Sequence, residues 1–199
     1  MNPKRLRTIS TRKTWTGILC AALVVVAGPA AARVLAGVKL PDRVDVAGKS
    51  LILNGMGIRE ATFLNVKVYV AGLYLETRMG DAKRVLDSVA AKRLVLYFVR
   101  EVTRDQVVDA WNEGFEKNAG KNLAALQARI RRLDAWMVGF RAHDTLSFTY
   151  VPGAGVTVAV NATTKGTIEG DDFARGLFAI WLGPEPPNAS LKAGLLGKM

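Results

Sequence analysis

The sequence predicts an α+β fold, an antiparallel sheet with helices packed on one side of it. Two patterns carry this. Leu146, Phe148 and Tyr150 alternate with Thr145, Ser147 and Thr149, so one face of that strand is buried and the other wet, as in antiparallel sheets. Between the strands come runs at helical spacing: Val107, Val108, Trp111 and Phe115, then Leu126, Ile130, Leu133 and Met137. The 199 residues, half of them apolar, are enough to bury the core of one domain.

The first 32 residues are expected to lie outside that domain. Lys4, Arg5, Arg7, Arg12 and Lys13 precede an apolar run from Gly17 to Ala27, and Ala30-Ala31-Ala32 supplies small residues for cleavage. This is the pattern of a secretory signal peptide, with cleavage after Ala32 or, alternatively, after Ala36. The apolar run is short of the roughly 20 residues that a membrane span needs, so no stable span is expected after cleavage. The expected location is periplasmic or secreted, with residues 33–199 as the mature chain. Removing the leader takes away five positive charges and no negative one, lowering the formal charge from +11 to +6. The remaining charge, including Lys121, Arg129, Arg131 and Arg132 on one predicted helix, reads as a solvated face; no nucleic-acid motif accompanies it. The one cysteine, Cys20, falls within the leader, which excludes thiol catalysis in the mature protein.

In chain order, Val44–Val46 and Ser50–Asn54 flank Ala47-Gly48-Lys49 as a hairpin. Asn54-Gly55-Met56-Gly57 reads as a turn whose glycines permit positive φ. Val66–Leu75 is a strand with Val66, Val68 and Val70 on one side and Gly72 marking a bulge. Asp81 caps a short helix that runs to Val89 and buries Val85, Leu86 and Val89. Arg93–Val99 is apolar on both faces, as in a central strand. Thr103 and Gln106 form a capping box at the start of the next helix, which Gly120 ends. A further helix begins near Asn122. Thr145–Tyr150 and Val156–Val160 form a second hairpin around Pro152-Gly153-Ala154-Gly155. Asp171 or Asp172 caps a helix that carries Phe173, Leu177, Ile180 and Trp181 inward, and a last short helix, Ala189–Leu196, closes the domain.

The stretch that carries chemistry is Leu51–Glu76. A loop delivers Arg59, and the return strand places Lys67, Tyr69 and Ala71 on one face. With Phe63-Leu64-Asn65 as a three-residue hairpin loop, Arg59 and Tyr69 sit directly opposite, their Cβ atoms about 5 Å apart. A guanidinium beside a phenol, turned into an apolar hollow under the helices, would receive a carboxylate or a developing enolate. Other chemistry finds little support. His143 alone, with no mature cysteine, makes no usual transition-metal cluster. There is no Gly-x-Ser-x-Gly elbow, Glu60 stands where a dinucleotide motif needs its third glycine, and Arg43 stands where a phosphate loop needs its first. No metal and no cofactor are expected.

The Gly-x-x-Arg loop, the Tyr-x-x-Gly-x-Tyr-Leu strand and the closing segment GDDFARGLFAIWLG (170–183) together resemble the chalcone isomerase-like family, particularly its short exported bacterial members. The resemblance runs from about Val38 to Gly197. It implies an open-faced β-sandwich: a large antiparallel sheet covered by a helical layer, with an apolar ligand cleft between them. In the plant enzymes of this family an arginine in this loop stabilises the phenolate or enolate oxygen during ring closure, and Arg59 occupies that place. The remaining positions depart from the enzymes. Tyr69 replaces a threonine, Asn112 is the only early amide of a helix that should carry a tyrosine, and Ile180 and Trp181 stand where a threonine and a methionine would be. An arginine paired with a tyrosine resembles instead the fatty-acid-binding branch, where the two hold an acyl carboxylate.

The function expected is binding of a small hydrophobic, carboxylate-bearing ligand of the fatty-acid type. Arg59, Tyr69, Lys67, Asn112, Ile180 and Trp181 are the candidate ligand-binding residues. The alternative is a cofactor-free isomerase or intramolecular lyase with Arg59 as its catalytic group, acting on a chalcone-like unsaturated ketone. A second alternative is a structural or partner-binding module with no ligand. The oligomeric state is open.

Overall fold

The computed structural model describes residues 32–61 and 66–198; the expected leader, apart from Ala32, and the Phe63-Leu64-Asn65 loop lie outside them. A two-stranded hairpin, β1 (Ala32–Leu35) and β2 (Val38–Pro41), comes first. Seven further strands form one antiparallel sheet in sequence order: β3 (Arg43–Val46), β4 (Lys49–Ala61), β5 (Val66–Leu75), β6 (Lys92–Phe98), β7 (Thr145–Val151), β8 (Gly155–Val160) and β9 (Thr163–Ile168). Helix α1 (Ala82–Asp87) connects β5 to β6. Helices α2 (Arg104–Ala119) and α3 (Leu123–Trp136) connect β6 to β7, and α4 (Asp171–Leu182) and α5 (Ala189–Leu195) follow β9.

The expected alternation builds the core. Leu94, Leu96 and Phe98 of β6, Leu146, Phe148 and Tyr150 of β7, and Val156, Val158 and Val160 of β8 all face the helices. There they meet Trp111 and Phe115 of α2, Ile130 and Leu133 of α3, and Phe173, Leu177 and Trp181 of α4. The capping box of Thr103 and Gln106 is present, and Gly120 ends α2 with φ +53°. Helices α2 and α4 approach closely at Gly114, where a Cβ would lie 2.6 Å from Ile180 Cγ2.

The opposite face of the sheet is partly covered as well, by β1 and β2. Val38 and Leu40 pack with Leu51, Leu53, Val70 and Tyr74, and the Tyr74 hydroxyl donates to the Pro41 carbonyl at 3.0 Å. Gly72 makes room for this: a Cβ there would lie 2.5 Å from Leu40 Cδ1. Gly72 therefore marks a packing contact, and the bulges of β4–β5 lie elsewhere, at Asn54 and at Val68.

Several expectations are corrected. Asn54-Gly55-Met56-Gly57 is no turn; β4 runs unbroken through it for 13 residues. Both glycines are there because α5 lies against the strand: a Cβ on Gly55 would meet Gly194 O at 2.0 Å, and one on Gly57 would meet Leu191 O at 2.5 Å. The bulge at Val68 breaks the expected valine face, sending Val68 toward the helices and Val70 to the other side. Helix α1 stops at Asp87, and Val89 is 67% exposed. Its end is held by Lys92, whose amine donates to Val85 O at 2.6 Å and Ser88 O at 2.7 Å, so α1 is anchored by the strand that comes after it. Gly170 caps α4; Asp171 and Asp172 fill its first turn, Asp171 accepting from the Tyr150 hydroxyl at 2.8 Å and Asp172 pairing with Arg129. Strands β1, β2 and β9 are additions to the expected set.

Candidate functional site

Arg59 and Tyr69 are directly opposed across β4 and β5. The register that brings them together differs from the one expected: Ala61 pairs with Val66 and Glu60 with Lys67, and Val68 is left over as a bulge before Tyr69 meets Arg59. Arg59 thus sits in the last stretch of a strand, where backbone pairing holds it, and not in a loop.

Tyr69 points under the helices and is only 4% exposed. Trp181 of α4 is fully buried, and its indole Nε1 donates to the Tyr69 hydroxyl at 2.9 Å. Phe98 packs edge-on to the Tyr69 ring at 5.7 Å, while Trp181 packs against Trp111 at 5.2 Å and Phe148 at 5.7 Å. Burial pushes the Tyr69 hydroxyl up to about 12; the Trp181 hydrogen bond and the positive charge of Arg59 pull the other way without overcoming it. Tyr69 therefore stays protonated at any ordinary pH and has a proton to donate.

The guanidinium of Arg59 is half-buried and turns to the segment joining α4 to α5. Its Nη1 donates to Asn188 Oδ1 at 3.1 Å, to the Pro187 carbonyl at 3.3 Å and to the carbonyl of Glu60. Asn188 is itself clamped to the strand, accepting from Glu60 N and donating to Glu60 O, both at 3.0 Å. The arginine head thus lies at the rim of the helix layer, with Tyr69 beneath it. The sequence pattern provided Arg59 with a partner on β5 but none on the linker. GPEPPN (183–188) held the available signal, since Pro184, Pro186 and Pro187 restrict the backbone to a few conformations and set the path of the chain into α5.

The other candidate residues divide. Ile180 and Trp181 are fully buried on α4, Trp181 in direct contact with Tyr69 and Ile180 seated against Gly114 of α2. Lys67 is exposed, carried away from Tyr69 by the bulge. Asn112 donates to Asp134 Oδ2 of α3 at 3.3 Å. Neither Lys67 nor Asn112 joins the cluster of Arg59, Tyr69 and Trp181. Among the described residues, no group of three or more histidines, cysteines or carboxylates could hold a metal ion, and no helix is long and apolar enough to cross a membrane.

Chemically, the arrangement offers a fixed phenolic donor under a guanidinium that keeps donors in reserve. Arginine has five N–H groups, and among the described residues only those on Nη1 are engaged. An anionic oxygen reaching both groups would be held by charge-assisted bonds.

No curated protein matches the sequence. Among solved structures, a fatty-acid binding protein of Arabidopsis thaliana superposes with a TM-score of 0.65 at 17% identity, over 83% of this chain and 96% of that one. At that identity the likeness establishes the fold: a curled antiparallel sheet with helices on one side. A family model described as chalcone isomerase-like matches residues 32–197. With a match over most of its length, and with the same sheet-and-helix architecture, the chain belongs to the chalcone isomerase-like family.

Proposed function

We propose that the protein is an exported binder of a small hydrophobic carboxylate of the fatty-acid type, held by Arg59 and Tyr69. The observation that carries this reading is their direct opposition, with the Tyr69 hydroxyl already accepting from Trp181. A hydroxyl that accepts from an indole directs its own proton elsewhere, and a carboxylate beside Arg59 is the natural acceptor. Each charge-assisted bond would contribute about 1.5–3 kcal/mol. Each buried methylene of the chain would add about 0.8 kcal/mol. The likeness to a fatty-acid binding protein supports the same ligand class. Export is supported by the leader-like pattern of residues 1–32, which precedes nearly all of the family match over residues 32–197. Cleavage after Ala36 would remove β1, which favours the earlier site.

The test is native mass spectrometry of the protein gently extracted from periplasm, then delipidation and titration with laurate while tryptophan emission is monitored. A co-purifying fatty acid, lost in Arg59→Ala and weakened in Tyr69→Phe, is the expected result. Persistence of the fatty acid in Arg59→Ala would overturn the site. A second reading has its own observation. Ile180 and Trp181 are both fully buried, with Trp181 against Tyr69, as in a partner-binding module without a ligand. It predicts that laurate leaves tryptophan emission unchanged at every concentration below its micelle threshold.

A further inference from the structure

A second cleft lies at the other end of α5. Helix α5 runs antiparallel to β4, from Asn188 beside Arg59 to Gly194 over Gly55. Asn54 is five residues from Arg59 along this strand, or about 16 Å at the usual rise. Beyond it opens a cavity of about 510 Å³, within the size range of small-molecule sites.

Its walls come from three separate segments: β1, the stretch Arg78–Gly80, and the end of α5. One buried side chain ties two of them to the strand. Asn54 is 3% exposed; its Nδ2 donates to Met79 O at 3.0 Å and Leu195 O at 2.8 Å, and its Oδ1 accepts from Met79 N at 2.8 Å. A strand bulge thus directs an amide inward to staple both walls in place.

The charge in this cleft is of one sign. Arg33, Arg78 and Lys198 line it, and no carboxylate among the described residues does. Arg33 has a long, half-exposed ion pair with Asp42 at 3.7 Å; Arg78 and Lys198 have no acidic partner among the described residues. Lys198 is positioned by the way α5 ends. Gly197 turns left-handed at φ +69°, Gly197 N donates to Gly194 O and Lys198 N to Ala193 O, both at 3.0 Å. Its stem then lies over Gly80, where a Cβ would be 3.8 Å from Lys198 Cε. These bonds, together with Leu196 N to Lys192 O and Asn54 to Leu195 O, occupy the last carbonyls of the helix, so its negative end does not face the cleft unpaired. The floor is apolar, formed by Met56, Met79 and Leu196, with Val34 65% exposed nearby.

We propose that this cleft binds a single-chain amphiphile with a phosphate headgroup, the three cations receiving the headgroup and the methionine-lined floor its first methylenes. A dianion matches three cations without an acid better than a monocarboxylate does. Methionine suits a chain of no fixed shape, because its thioether is flexible and polarizable. The site stands apart from the Arg59–Tyr69 pair and does not depend on it.

Isothermal titration of the purified protein with dodecyl phosphate, below its micelle concentration, tests this. Arg78→Gln/Lys198→Gln, both at exposed positions, should weaken binding by roughly tenfold or more. Arg59→Ala should leave intact the component of binding that this double variant weakens, whatever second component the Arg59–Tyr69 site adds. Inorganic phosphate should bind at least about tenfold more weakly than dodecyl phosphate, reporting the floor. Wild-type affinity in the double variant, with its circular dichroism unaltered, would overturn the proposal. Loss of that same component in Arg59→Ala would do the same by assigning the ligand to the other site. Equal affinity for inorganic phosphate would overturn the amphiphile.

Discussion

Replacing Tyr69 by phenylalanine isolates the hydrogen bond at the centre of the candidate site. The ring keeps its contact with Phe98, and only the hydroxyl leaves. The Trp181 N–H, fully buried and aimed at that oxygen from 2.9 Å, loses its acceptor in a place that water does not reach. A buried donor without a partner costs about 1–3 kcal/mol, offset in part because the phenol no longer has to be desolvated. A net loss of about 1–2 kcal/mol is expected, read as a lower urea midpoint with an unchanged slope. For a chain of this size that corresponds to a drop in Tm of roughly 2–8 °C. The decisive measurement is the double-mutant cycle with Trp181→Phe. Once the indole is gone, Tyr69→Phe should cost less than about 0.5 kcal/mol, because no donor is stranded. If the full cost persists in the Trp181→Phe background, the hydroxyl acts through some other partner and the reasoning fails.

Gly57→Ala would put a Cβ 2.5 Å from the Leu191 carbonyl, where backbone blocks retreat. It should lift α5 and cost more than about 2 kcal/mol, checked by denaturation and by faster hydrogen exchange in residues 189–195. Stability should also depend on pH with a definite sign. Burial lowers the Lys92 amine from 10.5 to about 8, so between those values the unfolded chain holds a proton that the folded one has released, and stability rises with pH. Tyr69, Tyr74 and Tyr150, each pushed up to about 12 mainly by burial, keep protons that the unfolded chain loses from pH 10 upward, so stability then falls. Urea midpoints from pH 7 to 11 should therefore pass through a maximum, and Lys92→Met should abolish the rising limb. Thr103→Ala should remove the capping box of α2 and cost about 1 kcal/mol by thermal denaturation, leaving laurate binding unaffected.

What the sequence made legible is what nearest neighbours along the chain decide. Thr103 and Gln106 are three residues apart, so their reciprocal bonds could be read directly, as could the alternation of β7. The opposition of Arg59 and Tyr69 was also accessible, although it arises from a four-residue connection plus a bulge instead of a three-residue loop. What stayed hidden depends on distant segments. Gly55 and Gly57 look like a turn because local sequence carries no trace of a helix arriving about 140 residues later. Thr163–Ile168 is not legible as a strand because its first three residues face solvent at the sheet edge, without the apolar alternation that marks an inner strand. The tether of Arg59 to Pro187 and Asn188 is a contact of the same long-range kind, and it decides where the guanidinium rests.

The seating of α5 in the glycine channel of β4 bears on how the protein reaches its finished state. The channel forms as soon as the first long hairpin pairs, but its occupant follows about 140 residues later in the chain. Until then a bare strip of backbone stands open along a hydrophobic strand, ready to accept any short helix with small residues, including the tail of a neighbouring molecule. Final assembly is therefore governed by a contact spanning most of the polypeptide, a circumstance that slows folding. Shortened chains that stop before Leu191 should aggregate, or take up the α5 segment of an intact neighbour, instead of settling into a slightly smaller version of the same protein.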